Sequence, residues 1–563
     1  MMRILGCLLV ALAIGVAGAM PVEAQIADAV LLDGKVVTQA AAGNSQALAI
    51  HDGKVLAVGP TDAIRKHVGP GTKVIDLGGR TVIPGLIDSH IHAIRAALFY
   101  ATEVNWIDTR SIPEAMERMS AAARKARPGQ WLIVAGGWTE QQFKERRRPT
   151  QAEVMAAAPD NPVYVQLFYS NVLLTPAGFK ALGINGEADL PTGNKFDLDA
   201  AGKPTGWING AGLQAIAAFF SKLPLPTFEQ KVEGTRQFFR EMNRLGVTGV
   251  VDPGGFNMAP ADYQPLFKVW RDGELSVRVV FSLFAQRPNK ELEDFQALTQ
   301  MLPQGMGGDM LRFNGIGELV TYGMYNNDSP TDDQKQQLYE AARWAAGRGL
   351  TLTHHWQNGR TVQHLLDVFE RVDKETPIAP LRWSIAHLNL CPPAAFERMR
   401  ALGVGWTMQN AMYFDSVAFM KRHGAEAIRL APPIKTAMRL GIHVGAGTDA
   451  HRVMSYNPMV ALQWMVDGRT VGGEATRVAE EMPTREEALR LYTVGSAWFA
   501  HDEGRRGTLE PGRLADLAVL SQDYLTIPAD EIGRTQSLLT MVGGRIVYAA
   551  TPYAEFLDTR AAK

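Results

Sequence analysis

Eight short apolar runs recur through the middle of the chain, each followed by a stretch rich in Ala, Leu, Glu and Arg with amphipathic spacing. They fall at residues 81–92, 246–252, 277–283, 311–320, 350–355, 382–388, 404–409 and 443–449. Alternating strand and helix patterns dictate an α/β fold whose parallel strands are covered by helices. Eight such units are the number that closes a (β/α)8, TIM-like barrel. Between the first and second runs lies a long insertion, roughly residues 95–235, with strand-like pieces at 131–135 and 162–167. Asp199-Ala200-Ala201-Gly202 reads as a turn there, because Asp197-Leu198-Asp199 lacks the closing glutamate that a Ca²⁺ loop needs. Lys144-Glu145-Arg146-Arg147-Arg148 reads as a solvated helix end.

The two ends follow a different pattern. Short apolar runs with Asp33-Gly34 and Asp52-Gly53 between them predict β-hairpins near the N-terminus. Runs around 517–520 and 541–548 look alike, so both termini are expected to build one small β-sandwich. The expected division is 25–80 and 501–563 for the sandwich and 81–500 for the barrel. Residues 1–24 open with Arg3 and an apolar run, and end in Val22-Glu23-Ala24, the pattern of a cleaved signal peptide. Export to the periplasm or beyond is therefore expected, with no membrane span after cleavage. Cys391 would then be the sole cysteine, which excludes an intrachain disulfide. Lys+Arg 57 against Asp+Glu 58 leaves a net charge of −1, which gives no footprint for nucleic acid.

Chemistry-bearing residues gather where these strands finish. The first ends in PGLIDSHIH, with His90 and His92 two residues apart and so on one face of a strand. The fifth ends in His354-His355, the sixth reaches His387 and the eighth reaches Asp449. In an α/β barrel the C-terminal strand ends converge on one mouth, where several histidines and a carboxylate suit a metal ion. Alternation puts His355 with Thr351 and Thr353 on the inner face, and His354 with Leu350 and Leu352 outside. His443 shares a face with Asp449 but lies low in the barrel and reads as structural. For His451 the readings are a substrate contact or plain loop solvation.

PGLIDSHIH, the SIAHL segment at His387, the AGTDA segment at Asp449 and the tail RGTLEPGRLADL from Arg506 resemble the amidohydrolase superfamily. More narrowly, the chain is similar to amidohydrolase family 3, the branch of YtcJ-like proteins and N-substituted formamide deformylases. Gly136-Gly137-Trp138 with Glu140, His355-Trp356-Gln357-Asn358-Gly359-Arg360 and Asn457-Pro458 support it.

That resemblance implies metal ligation by His90, His92, His355, His387 and Asp449, with Asp449 also the general base. The metal expected is a divalent ion, Zn²⁺ foremost, as one or two ions. Many relatives place a carboxylated lysine on the fourth strand, where this chain has Gly317. Glu318 supplies the missing carboxylate if the glycines around it permit a bulge; the alternative is Glu318 turned toward a basic partner. The implied reaction is hydrolysis of a non-peptide, amide-type carbon–nitrogen bond in a small molecule. Ester or lactone hydrolysis on the same site and a catalytically inactive periplasmic binding protein are the alternatives. Trp138, Trp207, Phe256 and Tyr322 are expected among the pocket walls. Self-association into a homo-oligomer is left open.

Overall fold

The computed structural model describes residues 25–557, so the expected signal segment lies outside the described residues. All eight middle runs form strands: β1 (Leu86–Asp88), β2 (Val247–Asp252), β3 (Arg278–Leu283), β4 (Leu311–Ile316), β5 (Thr353–Trp356), β6 (Ser384–His387), β7 (Gly405–Gln409) and β8 (Val444–Gly447). They form two four-stranded sheets, β1-β2-β3-β4 and β5-β6-β7-β8, in which every pair is parallel. The sheets meet at two seams. At one, Ile316 bridges Leu352 and the His355 amide donates to the Glu318 carbonyl (3.0 Å). At the other, Ser89 N donates to Ala446 O (3.0 Å) and Asp449 N to His90 O (2.8 Å). Parallel strands buried on both faces read as apolar runs, and one large core spans these strands and their helices.

The first predicted run divides in two. Thr81–Pro84 pairs antiparallel with Leu517–Leu520, whereas β1 pairs with β2, so the chain changes sheets at Gly85. The two Asp-Gly signals also part company. Asp52 and Gly53 both take positive φ (48° and 70°) and turn a hairpin between Ala47–His51 and Lys54–Gly59. Asp33-Gly34 instead carries the chain from Ala29–Leu32 in one terminal sheet to Lys35–Val36 in the other. These sheets, of four and five strands, share a core in which Leu31, Leu48 and Ile75 pack with Val82, Leu517 and Leu539.

The insertion builds its own five-stranded sheet. Its Asp199–Gly202 segment is a turn closed by Gly202 N donating to Asp199 O (2.9 Å). The basic run 144–148 is largely solvent-exposed, as expected, but it is a loop between the short helix Glu140–Gln142 and the helix that starts at Gln151, capped by Thr150. Arg147 pairs with Glu153 (2.7 Å), and Arg148 with Asp197 (3.5 Å) while lying over Trp207. Among the described residues, no helix is long and apolar enough to cross a membrane.

Candidate metal centre

Six side chains converge at or just beyond the C-terminal ends of β1, β4, β5, β6 and β8. His90 Nε2 lies 3.0 Å from Glu318 Oε2 and 3.6 Å from Asp449 Oδ1. His92 Nε2 lies 3.1 Å from Asp449 Oδ1 and 3.7 Å from Glu318 Oε1. His355 Nδ1 lies 3.1 Å from Glu318 Oε2 and 2.9 Å from His387 Nε2. His90 with Glu318 and His387 forms one compact group; His90 with His92 and Asp449 forms another.

Local structure explains why the ring nitrogens point inward. His92 donates its Nδ1–H to Gly254 O (2.5 Å), which leaves Nε2 for the cluster. The Asn326 amide engages His355 Nε2 (2.9 Å), which leaves Nδ1. Such partners fix the orientation of histidines that serve as ligands. Asp88 accepts from the His90 amide (3.0 Å) and the Thr448 hydroxyl (2.7 Å), tying the ends of β1 and β8 together. His387 and Asp449 both sit at positive φ (75° and 55°), a conformation that costs a non-glycine residue about 1–3 kcal/mol. Strand ends aimed at a shared point impose that strain.

Glu318 reaches the cluster through a bulge. The β3–β4 register shifts between the Phe281–Phe313 and Leu283–Ile316 pairs, where Gly315 has φ +102°. At Gly317 (φ +152°) a Cβ would meet Thr353 O at 2.6 Å, so the chain passes too close to β5 for a side chain there. The lysine position is thus closed to any side chain, and the next residue supplies the carboxylate. No basic side chain other than the histidines pairs with Glu318 among the described residues.

Charge and burial agree with this geometry. Burial raises the Asp449 carboxyl, but hydrogen bonds to His90 and His92 outweigh it and hold the group well below the usual carboxylate range. For Glu318, burial is likewise overcome by the charges of His355 and His90. His90 is pushed up to about 10: burial opposes its charge, while Glu318 and Asp449 favour it more strongly. Buried His90 Nε2 and Glu318 Oε2 have no aligned hydrogen-bond partner. Unsatisfied donor-capable and anionic atoms are costly in a dry interior unless something else satisfies them. A divalent cation fits this set of four imidazoles and two carboxylates.

The other candidates fall elsewhere. Trp138 is a correction: its indole is buried in the core of the insertion with Trp106, Phe143 and Trp207, and donates to Gln166 O (2.8 Å). Trp207 donates to Pro149 O in the same core. Tyr322 is half-buried and donates its hydroxyl to Gln286 O (3.2 Å). His451 is buried, with Nε2 hydrogen-bonded to Glu103 (3.2 Å), and burial beside Arg452 pushes its imidazole down to about 4, so the ring is neutral and shielded from loop solvent. His443 is exposed and stacks on Trp498 (4.5 Å). Phe256 is half-buried and packs edge-on against Tyr325 (5.7 Å). Sequence reasoning missed Tyr325, which stacks on His355 (4.3 Å), and Arg95, one turn past His92. Only the spacing of Arg95 from His90-Ile91-His92 offered a signal for it.

Residues 73–548 match the model of the amidohydrolase family. The chain belongs to that family. It is an enzyme of the amidohydrolase class, and family membership suggests a divalent metal. It is 24% identical over 551 residues to the N-substituted formamide deformylase of Arthrobacter pascens, covering 94% of this chain and 99% of that one. It is 23% identical to the protein LONG AFTER FAR-RED 3 of Arabidopsis thaliana, covering 93% and 92%. Among solved structures, an uncharacterized metal-dependent hydrolase from Pyrococcus horikoshii superposes with TM-score 0.63 at 21% identity, over 89% of this chain and 99% of that one. An adenosine deaminase from Xanthomonas campestris with bound zinc gives 0.52 at 14%, over 96% of each chain. These two likenesses establish a shared amidohydrolase fold.

Proposed function

We propose that the two parallel sheets close into one (β/α)8 barrel, flanked by a β-sandwich of the terminal strands. The strand ends then carry a metal-dependent hydrolase of non-peptide carbon–nitrogen bonds in small molecules. The observation that carries this reading is the convergence of His90, His92, Glu318, His355, His387 and Asp449, with His90 Nε2 and Glu318 Oε2 unsatisfied at its centre. His90, His92 and Asp449 would hold one ion, and Glu318, His355 and His387 a second, with Glu318 within reach of both. A bound divalent ion, Zn²⁺ first among candidates, supplies Lewis acidity and brings the pKa of water to about 7.

The protein groups do the rest. Asp449 is ionised, keeps part of its surface open, and is held by its own backbone bond to His90 O. It accepts a proton from the attacking water and delivers it to the leaving nitrogen, which departs only when protonated. Tyr325 and Phe256 form an aromatic wall beside His355. The formamide deformylase and the adenosine deaminase relatives act on carbon–nitrogen bonds, as their names state, which favours this bond class. The N-terminal 24 residues favour an exported enzyme.

The test is to measure metal content and the hydrolysis of N-formyl and N-acyl amines by purified protein. Loss of an acid–base group costs about 10²–10⁴ in rate, so Asp449→Asn should fall by at least that factor and, because Asp449 would also be a ligand, should lose part of its metal while keeping the Glu318 group occupied. His90→Ala should lose both metal and turnover. Turnover that persists undiminished in both variants refutes the proposal.

A further inference from the structure

Arg95 lies in the first turn of the helix Ala93–Tyr100, three residues after His92. Its neighbour Ile94 donates its amide to Asp252 (2.7 Å), and its Cδ lies beside Gly255, next to the Gly254 carbonyl that holds His92, which places Arg95 beside the cluster. Yet among the described residues no carboxylate lies within ion-pair distance of its guanidinium, and its one protein hydrogen bond is a long one to the Tyr169 hydroxyl (3.3 Å). Arg95 Nε is buried with no partner. The nearby acids are engaged elsewhere. Asp252 accepts from Ile94 N and Gly254 N (both 2.7 Å), and Asp449 faces His90 and His92.

The surroundings of Arg95 are not sealed. Arg95, Tyr169, Phe256 and Tyr325 are each half-buried, so this wall opens to solvent next to fully buried histidines. The stem of Arg95 passes Gly255, where an added Cβ would sit 3.5 Å from its Cδ. A guanidinium with free, fixed donors in a poorly solvated wall matches a carboxylate, which accepts two parallel N–H bonds. A doubly charged phosphate is less suited, because Asp449 and Asp252 repel it.

We infer that Arg95, with the Tyr169 hydroxyl, forms a subsite for a carboxylate on the substrate, so that the enzyme acts on amide-type compounds bearing an acid group beside an apolar or aromatic part. This rests on the hydrolase reading above. The reaction balances as amide plus water giving one carboxylate and one ammonium, the released proton ending on the amine. The substrate's own acid group is unchanged and serves as the anchor. Anchoring a remote charge orients the scissile carbonyl over Asp449, which is where binding energy aids the chemical step.

The test uses metal-loaded enzyme and matched pairs: N-formyl- and N-acetyl-amino acids (phenylalanine, leucine, alanine, both enantiomers) against the same compounds as C-terminal carboxamides. Wild type should favour the acids by about tenfold or more in kcat/KM, as a charge-assisted hydrogen bond implies. Arg95→Met should remove that preference, chiefly through a higher KM for the acids, while carboxamides change by less than about threefold. Arg95→Lys should restore part of it.

Calorimetry with the same acids and carboxamides supplies a readout independent of turnover. If no amide is hydrolysed but the acids bind wild type and not Arg95→Met, the hydrolase reading fails and the carboxylate subsite stands. Three outcomes overturn the subsite: equal handling of acids and carboxamides by wild type, equal losses on both in Arg95→Met, or no binding of any acid.

Discussion

Glu318 lies within 3.7 Å of ring nitrogens from four histidines, His90, His92, His355 and His387. A buried carboxylate so placed keeps the imidazoles from repelling one another and completes a ligand set around any cation there. Glu318→Ala should therefore lower bound metal by at least one equivalent per chain and activity by about 10²-fold or more, whereas removing a mere orienting partner costs about 10–100-fold. Elemental analysis checks the first, and unchanged metal content would mean that Glu318 only orients the histidines. Some of this was legible in sequence. Pleat alternation alone separates His355, whose Nδ1 enters the cluster, from His354, whose ring turns back to the His355 carbonyl. The bulge at Gly315 and Gly317 explains why Glu318, and not the aligned position, supplies the carboxylate. Trp138 was not legible, because a tryptophan in a core and one in a pocket look alike until the packing is known.

At the scale of elements, the loop after β8 is clamped by the insertion. Glu103 pairs with both His451 (3.2 Å) and Arg452 (2.9 Å), and Arg452 also donates to Ala135 O (3.1 Å) and stacks over Phe220 (4.4 Å). At Gly136 the backbone has φ +119°, and a Cβ would fall 2.1 Å from Arg452 O. The insertion and the Asp449 loop thus touch backbone to backbone. Gly136→Val should destabilise by about 1–3 kcal/mol from the left-handed conformation alone. It should also lower kcat through displacement of Asp449, even in the fraction that stays folded. Denaturant melts and single-turnover rates measure the two effects, and a variant with wild-type kcat would show the loop to be independent of the insertion. The sequence carried the Gly136-Gly137 pair but not its partner. Contacts between residues more than three hundred positions apart leave no local periodicity, for the same reason that Asp33-Gly34 looked like a hairpin and became a crossing between sheets.

Across the whole molecule, the alternation of strand and helix patterns made the two parallel sheets visible, and the apolar runs at both ends made the terminal strands visible. How the terminal strands attach to the rest was hidden. A buried ion pair lies at that junction, beside others such as Arg312 with Asp502 (3.0 Å). Arg278, the first residue of β3, makes two bonds to Asp516 (2.7 and 3.0 Å), with both side chains buried. Asp516 also accepts from Gly543 N (2.7 Å), and its carbonyl accepts from Gly85 N (2.9 Å), so one residue joins β3 to the C-terminal strands and to the point where the chain changes sheets. Asp516→Ala would leave the Arg278 guanidinium buried without its main partner, and breaking a buried pair in this way costs about 3–5 kcal/mol. Replacing both groups by apolar ones removes two desolvation costs together with one attraction, and is commonly neutral. The double variant Arg278→Met/Asp516→Leu should therefore regain most of the stability lost by Asp516→Ala. Because Arg278 begins its strand and the histidines lie at or beyond the opposite strand ends, metal content and kcat of the folded double variant should match wild type. Equilibrium unfolding across the double-mutant cycle decides this: a double variant as unstable as Asp516→Ala would mean that the pair attracts more strongly than its burial costs, and that the terminal strands depend on that attraction to stay docked.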